Sequence, residues 1–298
     1  MVCSLRRDIS LCRTLSPHLS FSLSFSLSLS LSTSTTMQSS DSGNLGRALC
    51  IITGASRGFG RTAAREISQL VKPGSALVLV ARSGDDLRAL QTELAESEAG
   101  RAGMVVQCVV ADLGLMEGLE SVIKSAKEVF SEDIDHVCLV NNAASLGDVS
   151  RYTRSFTNMA EVDSYLSLNV SSSLCLTASV LQAFPQRPGL RRTVVNISSL
   201  CALQPFSSWV LYCTGKAARD MMFKVLAEEE PDVRVLSYAP DMHLVARSKT
   251  ADPNVRKSLS DGFSQGQVLT CEASCAKLMK LLLEDKYTSG AHIDVYDI

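Results

Sequence analysis

Residues 48–60 read ALCIITGASRGFG, an aliphatic run that leads into a loop with three glycines and then into an amphipathic segment. A buried strand followed by such a loop and a helix is the context in which a dinucleotide pyrophosphate is bound. Glycines allow the tight turn, and the helix N-terminus offers unpaired N–H groups. A glycine turn without a ligand would look the same from this string alone. The cofactor-binding residues expected here are Gly54, Ser56, Arg57, Gly58, Phe59 and Gly60.

The rest of the chain repeats this alternation of short aliphatic runs and longer amphipathic segments. Because aliphatic runs are typical of strands buried on both faces, the pattern predicts an α/β fold with a doubly wound, Rossmann-type parallel sheet. No linker divides residues 48–298, so we expect a single catalytic domain after a short lead-in at 37–47. Seven strands are predicted, at Ala48–Thr53, Ala76–Ala81, Met104–Val110, His136–Asn141, Thr193–Ser198, Val233–Ser237 and Ala291–Val295. Helices are predicted to begin near Gly58, Asp85, Leu115, Ala160, Trp209 and Cys271, the last after a long loop.

Residues 1–36 differ in composition from the rest. Serine and leucine alternate from Leu19 to Ser32, and Asp8 is the only acidic residue. No turn or partner strand follows this alternation, so we interpret the segment as a low-complexity leader outside the fold. A basic, serine-rich leader is typical of a mitochondrial transit peptide. The other interpretation is a leader translated ahead of a natural start at Met37.

Composition excludes several classes of protein. Of the 298 residues, 46% are hydrophobic and 20% are charged, the net charge is −2, and no cluster of Lys and Arg is long enough to track a nucleic-acid backbone. The ten cysteines lack C-x-x-C pairs and histidine-spaced ligands, so we expect reduced thiols and no metal site. No stretch reaches the apolar length of a membrane span. We therefore expect a soluble, cytoplasmic protein that has neither nucleic acid nor membrane as a partner.

Two arginines indicate the choice of cofactor. Arg57 lies inside the glycine loop, and Arg82 follows the second predicted strand, where NAD-binding proteins usually carry an acid for the ribose 2′-hydroxyl. Two guanidinium groups at this place suit a 2′-phosphate. The sequence therefore predicts NADPH/NADP+, although either arginine alone would also fit a solvated surface.

A second set of residues suggests acid–base chemistry at a carbonyl. Tyr212 and Lys216 are four residues apart and so share one face of the helix predicted from Trp209. The Lys charge, together with a nicotinamide cation, is expected to favour the phenolate, so that Tyr212 exchanges a proton with a carbonyl oxygen. Ser199, just past a predicted strand, is placed to hydrogen-bond the same oxygen. Asn169 is placed to hold a water connected to Lys216.

These residues, in this order and spacing, resemble the short-chain dehydrogenase/reductase family over nearly all of residues 48–298. The motifs are T-G-x-x-x-G-x-G at 53–60, the run NNAA at 141–144, and then Asn169, Ser199, Tyr212 and Lys216. The resemblance implies an NADP-dependent oxidoreductase in which hydride passes directly from nicotinamide to substrate while the tyrosine supplies the proton, without a metal. It places Asp112 against the adenine, although this residue would equally cap the next helix. The further cofactor contacts that it implies are Ser83, Leu113 and Asn141.

Longer strings resemble the branch of this family that reduces side-chain carbonyls of pterins in tetrahydrobiopterin biosynthesis. They are SLGDVS at 145–150, NISSLCALQPF at 196–206, GKAARDM at 215–221 and SGAHIDVYD at 289–297. The resemblance implies that Asp294 grips the amino-pyrimidine edge of a pterin through two parallel hydrogen bonds, with Ser199 and Tyr212 beside it in the substrate site. It also implies a homodimer formed through the helices predicted from Ala160 and Trp209.

One segment departs from the family pattern. After the strand at 233–237 the family has Pro-Gly followed shortly by Thr, in a loop that contacts the nicotinamide, whereas this chain reads YAPDMH at 238–243 and is several residues shorter. A splice variant, an imperfect gene model or a diverged paralogue would each produce this difference. Three hypotheses follow: an active pterin reductase, a reductase of other small ketones, and a catalytically impaired protein that only binds cofactor.

Overall fold

Seven strands form one parallel sheet in the computed structural model, which describes residues 43–240 and 246–298. The predicted leader at 1–36, most of the lead-in at 37–47 and the shortened loop from Asp241 lie outside the described residues. In chain order the strands are β1 (Ala48–Thr53), β2 (Ala76–Ala81), β3 (Val105–Val110), β4 (His136–Asn141), β5 (Arg191–Ile197), β6 (Val233–Ala239) and β7 (Ala291–Asp294). Their order across the sheet is β3-β2-β1-β4-β5-β6-β7. Since the order runs outward from β1 in both directions, the doubly wound fold predicted from the sequence is confirmed.

Helices cover both faces of the sheet. Ile67 and Leu278 belong to the apolar core on one face, and Leu119 and Leu176 belong to the core on the other. This division follows from the period of the amphipathic segments, each of which buries one apolar stripe. The helices are α1 (Gly58–Leu70), α2 (Gly84–Ala95), α3 (Glu98–Arg101), α4 (Met116–Val129), α5 (Met159–Leu166), α6 (Ser172–Ala183), α7 (Val210–Glu229), α8 (Ala246–Lys249), α9 (Pro253–Ser264) and α10 (Cys271–Glu284).

The long loop predicted before Cys271 contains a helix, so that prediction is wrong. Asp252 caps α9, its carboxylate accepting hydrogen bonds from the N–H groups of Asn254 (2.9 Å) and Val255 (3.1 Å). Proline at the first helical position is compatible with this start, because its missing N–H needs no partner there. Val255 and Leu259, one turn apart, are the α9 residues that pack against the Trp209 cluster. Val255, Leu259 and Phe263 recur at every fourth position, so the sequence carries a helical period here that the prediction overlooked.

A π-helical turn interrupts the helix predicted from Ala160. α5 ends at Leu166, the π turn spans Ser167–Ser171, and α6 begins at Ser172. Such turns in a helix are frequently found at functional sites. This one carries Asn169, whose side chain is buried.

The continuous helical stretch Met159–Ala183 corrects one expectation from the sequence. An 18-residue window within its 25 residues has a mean hydropathy of 1.2, so by length and composition alone this stretch could cross a membrane, and the expectation that none could is wrong. Leu176 and Val180 pack into the core beside the sheet. Met159 and Leu174 are exposed, which leaves apolar surface on the outer face of the stretch.

Candidate active site

The candidate site lies at the carboxyl edge of the sheet. Because all the strands are parallel, their C-terminal ends share this edge. The order of winding reverses between β1 and β4, and open α/β sheets bind ligands in the crevice at such a switch point. The glycine loop leaves β1 after Thr53, and the run beginning at Asn141 leaves β4 next to it.

Glycine is required at two positions of the loop for different reasons. Gly54 has a φ of +67°, in the region that favours glycine, and a Cβ at Gly60 would lie 2.4 Å from the Gly54 carbonyl oxygen. The side-chain amide of Asn142 fixes the loop by donating a hydrogen bond to the Thr53 carbonyl at 2.8 Å. Sequence reasoning included Asn142 in the family motif and gave it no role. Its contact shows that β4 holds the glycine loop in place.

The other predicted residues of the loop divide into two groups. Arg57 and Gly58 are exposed at the start of α1, and Ser56 is half-buried, so all three are accessible to a ligand. The side chain of Phe59 is buried in the core instead, with its ring 6.1 Å from that of Tyr238. Any contact between Phe59 and the cofactor would therefore be made by the main-chain atoms of Phe59.

Arg82 and Asp112 come together beyond the ends of β2 and β3. The Arg82 guanidinium lies 3.9 Å from the Asp112 carboxylate, and the Arg82 side chain is 72% exposed. Asp112 also accepts a hydrogen bond from the Gly114 N–H (2.9 Å), which closes a turn ahead of α4. The N-cap of α4 is Leu115 and no side chain caps the helix, so the capping role considered from the sequence is wrong. Ser83 donates a hydrogen bond to Asp86 in the first turn of α2.

Leu113 and Asn141 turn their side chains into the core. Leu113 packs among the apolar residues under α4 and α6. The Asn141 side-chain amide donates a hydrogen bond to the Thr177 hydroxyl at 2.9 Å. The main-chain carbonyl of Asn141 accepts a hydrogen bond from Arg219. Cofactor contacts at Leu113 and Asn141 are thus also left to main-chain atoms.

The Ser199 hydroxyl lies close enough to the Tyr212 phenol to lower its pKa. Ser199 caps the short 3-10 turn Leu200–Ala202, its hydroxyl oxygen accepting from the Cys201 N–H at 3.2 Å. Tyr212 lies in the first turn of α7, with its ring edge-on to that of Trp209 at 5.7 Å. The structure therefore brings together the two residues that the sequence predicts to act on one carbonyl oxygen.

Lys216 lies close to the Tyr212 ring, with Nζ 5.5 Å from its centroid, and donates a hydrogen bond to the Ile197 carbonyl. Burial raises the pKa of Tyr212 to about 12, and the neighbouring Ser199 hydroxyl offsets only part of that effect. Burial also holds the pKa of Lys216 well below its ordinary value. In the protein alone, the pKa of Tyr212 therefore moves opposite to the direction expected from the Lys216 charge, because removal from water disfavours both ionised forms.

Asn169 uses both ends of its amide to hold the π turn. Its Oδ1 accepts a hydrogen bond from the Ser145 N–H at 2.7 Å, and its Nδ2 donates one to the Tyr165 carbonyl at 2.9 Å. These bonds tie the interrupted helix to the segment that follows β4. The water expected between Asn169 and Lys216 stays a prediction.

β7 brings Asp294 to the same edge of the sheet. Asp294 pairs in register with Ala239, the last residue of β6. Its side chain is half-buried, and the carboxylate accepts a hydrogen bond from the Tyr296 N–H at 3.0 Å. Asp294 thus lies beside the point at which the chain leaves β6 toward Pro240.

A family model for short chain dehydrogenases matches residues 48–255. The chain belongs to the short-chain dehydrogenase family. Sepiapterin reductase of Bos taurus is 52% identical over 261 residues, which cover 86% of this chain and 97% of the relative. Sepiapterin reductase of Xenopus laevis is 50% identical over 266 residues, which cover 88% of this chain and 100% of the relative. The solved structure of the KRED1-Pglu enzyme is 26% identical with a TM-score of 0.69, over 83% of this chain and 100% of that one.

In this short-chain dehydrogenase, sequence reasoning missed a buried polar cluster next to the catalytic candidates. Asp220 on α7 accepts hydrogen bonds from Asn196 (3.0 Å) and Ser198 (2.5 Å) and pairs with His292 at 2.5 Å. The side chains of Asp220 and His292 are only 4% and 7% exposed. The cluster ties the end of β5 and helix α7 to β7, the strand that carries Asp294.

Arg219 is the second residue that sequence reasoning missed. Its guanidinium is buried and donates hydrogen bonds to the Asn196 side chain (2.8 Å) and to the carbonyls of Asn141 and Ala143. Burial lowers the pKa of Arg219 to about 10. Its partners lie on and just beyond β4 and β5, far from α7 in the chain, so no local spacing in the sequence identifies it.

Proposed function

We propose that this short-chain dehydrogenase is an NADPH-dependent reductase of side-chain carbonyls on pterins. The observation that carries the proposal is the placement of Ser199 beside Tyr212 and of Lys216 5.5 Å from the Tyr212 ring, at the sheet edge where the glycine loop also begins. Carbonyl reduction needs a proton donor beside a group that stabilises negative charge on oxygen. An identity of about 50% to relatives named sepiapterin reductase supports the pterin substrate.

The protein's own residues would handle the proton. A bound nicotinamide supplies the hydride. Because the pKa of Tyr212 is about 12, its phenol is protonated at neutral pH and is ready to donate to the carbonyl oxygen. The Ser199 hydroxyl donates a hydrogen bond to the same oxygen as negative charge develops. Lys216 and Asn169 are proposed to return a proton to Tyr212 through a water after each turnover.

The cofactor assignment rests on the glycine loop and two arginines. The loop fits a pyrophosphate, because its backbone cradle would be filled by a side chain at Gly60. NADPH/NADP+ is proposed over NADH because Arg82 is largely exposed and lies at 3.9 Å, the limit of an ion pair, from Asp112. Its guanidinium therefore remains available for a 2′-phosphate, with that of Arg57 nearby in the loop. The remaining proposed contacts are Gly54, Ser56, Gly58, Phe59, Ser83, Leu113, Asn141, Tyr212 and Lys216.

Asp294 is the proposed recognition group for the pterin. A carboxylate accepts two parallel hydrogen bonds from an amino-pyrimidine edge, which fixes the plane of the ring. Asp294 is half-buried at the end of β7, at the same sheet edge as Ser199 and Tyr212. A pterin held there would present its side-chain carbonyl to Tyr212, and such positioning contributes strongly to rate.

The shortened loop after Pro240 favours a second candidate function, a protein that binds the cofactor with little turnover. In the family this loop contacts the nicotinamide, and reacting groups tolerate displacement less well than surface loops tolerate changes in length. The test combines an NADPH titration with NADPH consumption on sepiapterin and on a simple diketone. It is made on this chain and on a version with the family's Gly and Thr restored after Pro240.

Each result favours one candidate. Turnover of sepiapterin well above that of the diketone supports the pterin reductase, and the reverse order supports a reductase of other ketones. NADPH binding without turnover, rescued by the restored loop, supports the impaired protein. Absence of NADPH binding in both versions would contradict all three.

We also propose a homodimer, acting in the cytoplasm, that forms through α6 and α7. Leu174 on α6 and Met221 and Val225 on α7 are exposed apolar residues, and the last two lie one helical turn apart. Met221→Glu should convert the dimer to a monomer in light scattering. The matched control Met116→Glu, on α4, changes a methionine of similar exposure and should leave the mass unchanged.

A further inference from the structure

Two cysteines adjoin the proposed catalytic pair. Cys201 is two residues beyond Ser199, and Cys213 directly follows Tyr212. Cys201 is buried in one apolar cluster with Trp209, and Cys213 packs against that cluster. The two thiols are close enough for each to shift the pKa of the other, so the pair lies between the strand end that carries Ser199 and the helix that carries Tyr212.

The two thiols differ in access to solvent and in acidity. Cys201 is 3% exposed, while Cys213 is half-buried, with its sulfur 3.9 Å from the Gln204 carbonyl oxygen. The neighbouring Cys201 thiol lowers the pKa of Cys213 to about 7, whereas the Cys213 thiol and burial raise the pKa of Cys201. A thiolate is the reactive form of cysteine. Cys213 is thus the accessible nucleophile, and Cys201 is the second thiol held against it.

We propose that Cys201 and Cys213 form an oxidation site that takes a hydroperoxide and closes to a disulfide. The Cys213 thiolate attacks one oxygen of hydrogen peroxide, the O–O bond breaks, and the other oxygen leaves as hydroxide. The sulfur loses two electrons to the peroxide and becomes a sulfenic acid. The Cys201 sulfur then displaces the sulfenic hydroxyl, which leaves as water with the Cys201 proton, and the S–S bond forms.

Closure of this disulfide should disturb the proposed catalytic geometry. The Cys201 N–H donates to the Ser199 hydroxyl oxygen at 3.2 Å, so a displacement of Cys201 also moves the Ser199 hydroxyl, which lies beside Tyr212. Small displacements of reacting groups cost large factors in rate. We expect the turnover rate of the oxidised protein to fall by on the order of ten-fold or more. A thiol reductant should restore the rate.

The chain contains a second thiol pair that serves as an internal control. Cys50 on β1 and Cys138 on β4 are partners in the sheet register, and the Cys138 thiol raises the pKa of Cys50. Both are fully buried, so a peroxide in solution has no access to either thiol. Proximity of two thiols is common to both pairs, and of the two pairs the Cys201–Cys213 pair is the one with a half-buried cysteine.

The experiment treats the reduced full-length protein with hydrogen peroxide and maps its peptides without reduction. The linked peptide joining Cys201 to Cys213 should appear with a mass about 2 Da below the sum of its two thiol forms. It should be absent in Cys213→Ser, whose turnover should survive the treatment. The matched control Cys108→Ser removes another half-buried thiol and should still give the linked peptide and the loss of rate.

The peptide map does not depend on the substrate, so it separates this proposal from the proposed reaction. A Cys50–Cys138 link, or accumulation of sulfinic acid at Cys213 without any link to Cys201, would overturn the oxidation site. If peroxide lowers turnover equally in Cys213→Ser and in the unmutated protein, the proposed effect of the disulfide on the rate would be overturned. Recovery of both the free thiols and the turnover after reduction would support both parts.

Discussion

Ser199, just beyond β5, and Tyr212, in the first turn of α7, lie close enough for the serine hydroxyl to lower the pKa of the phenol, although they are thirteen positions apart in the chain. The connection runs through the 3-10 turn Leu200–Ala202 and returns at Trp209, whose ring packs against that of Tyr212. Two hydroxyl groups with different tasks in carbonyl reduction therefore converge at one point of the sheet edge.

Arg82 should determine the preference for NADPH over NADH. Arg82→Glu replaces the exposed guanidinium with a charge that repels a 2′-phosphate, so the ratio of NADH to NADPH dissociation constants should fall by roughly 10- to 100-fold, the worth of one charged hydrogen bond. The control Arg88→Glu makes the same charge change on α2, at an exposed residue paired with Asp85. Equal affinity of the unmutated protein for both cofactors would refute the assignment.

Asp220 should contribute to stability through its buried contacts. Asp220→Ala leaves Asn196, Ser198 and His292 without their shared acceptor, so the free energy of unfolding should fall by about 3 kcal/mol. Asp261→Ala is the control, because that carboxylate is exposed in an i,i+4 pair with Lys257 and should contribute less than about 1 kcal/mol. Urea unfolding of both variants measures the difference. If Asp220→Ala loses no more unfolding free energy than Asp261→Ala, the buried cluster contributes no more to stability than an exposed ion pair.

The sequence predicted most of the sheet and the residues at its carboxyl edge because both leave local signals. The strands β1, β2 and β4 begin and end where their aliphatic runs do, and Tyr212 and Lys216 share a helix face by spacing alone. The Asp220–His292 pair joins residues seventy-two apart and leaves no such signal. The direction in which the pKa of Tyr212 shifts could not be predicted from the sequence either, because the shift depends on burial that only the assembled fold creates.

His136 should make the fold sensitive to mild acid. Burial lowers its pKa from the ordinary value of 6.5 to about 3, so the folded protein keeps the ring neutral while the unfolded chain protonates it. Stability from this group is complete above about pH 6.5 and falls by about 1.4 kcal/mol per pH unit as the pH drops toward 3. Urea unfolding between about pH 7 and pH 5 should show this slope, and His136→Gln should flatten it. An unchanged slope in His136→Gln would assign the acid sensitivity to other groups.

The most direct test of the account is the rate of NADPH consumption with sepiapterin for the unmutated protein and for Tyr212→Phe, with NADPH binding measured on both. The substitution keeps the ring that packs against Trp209 and removes the proton that the reaction needs. We predict that turnover falls by about 100-fold or more while the dissociation constant for NADPH stays within a few-fold. Near-normal turnover by Tyr212→Phe would contradict the assignment of Tyr212 as the proton donor.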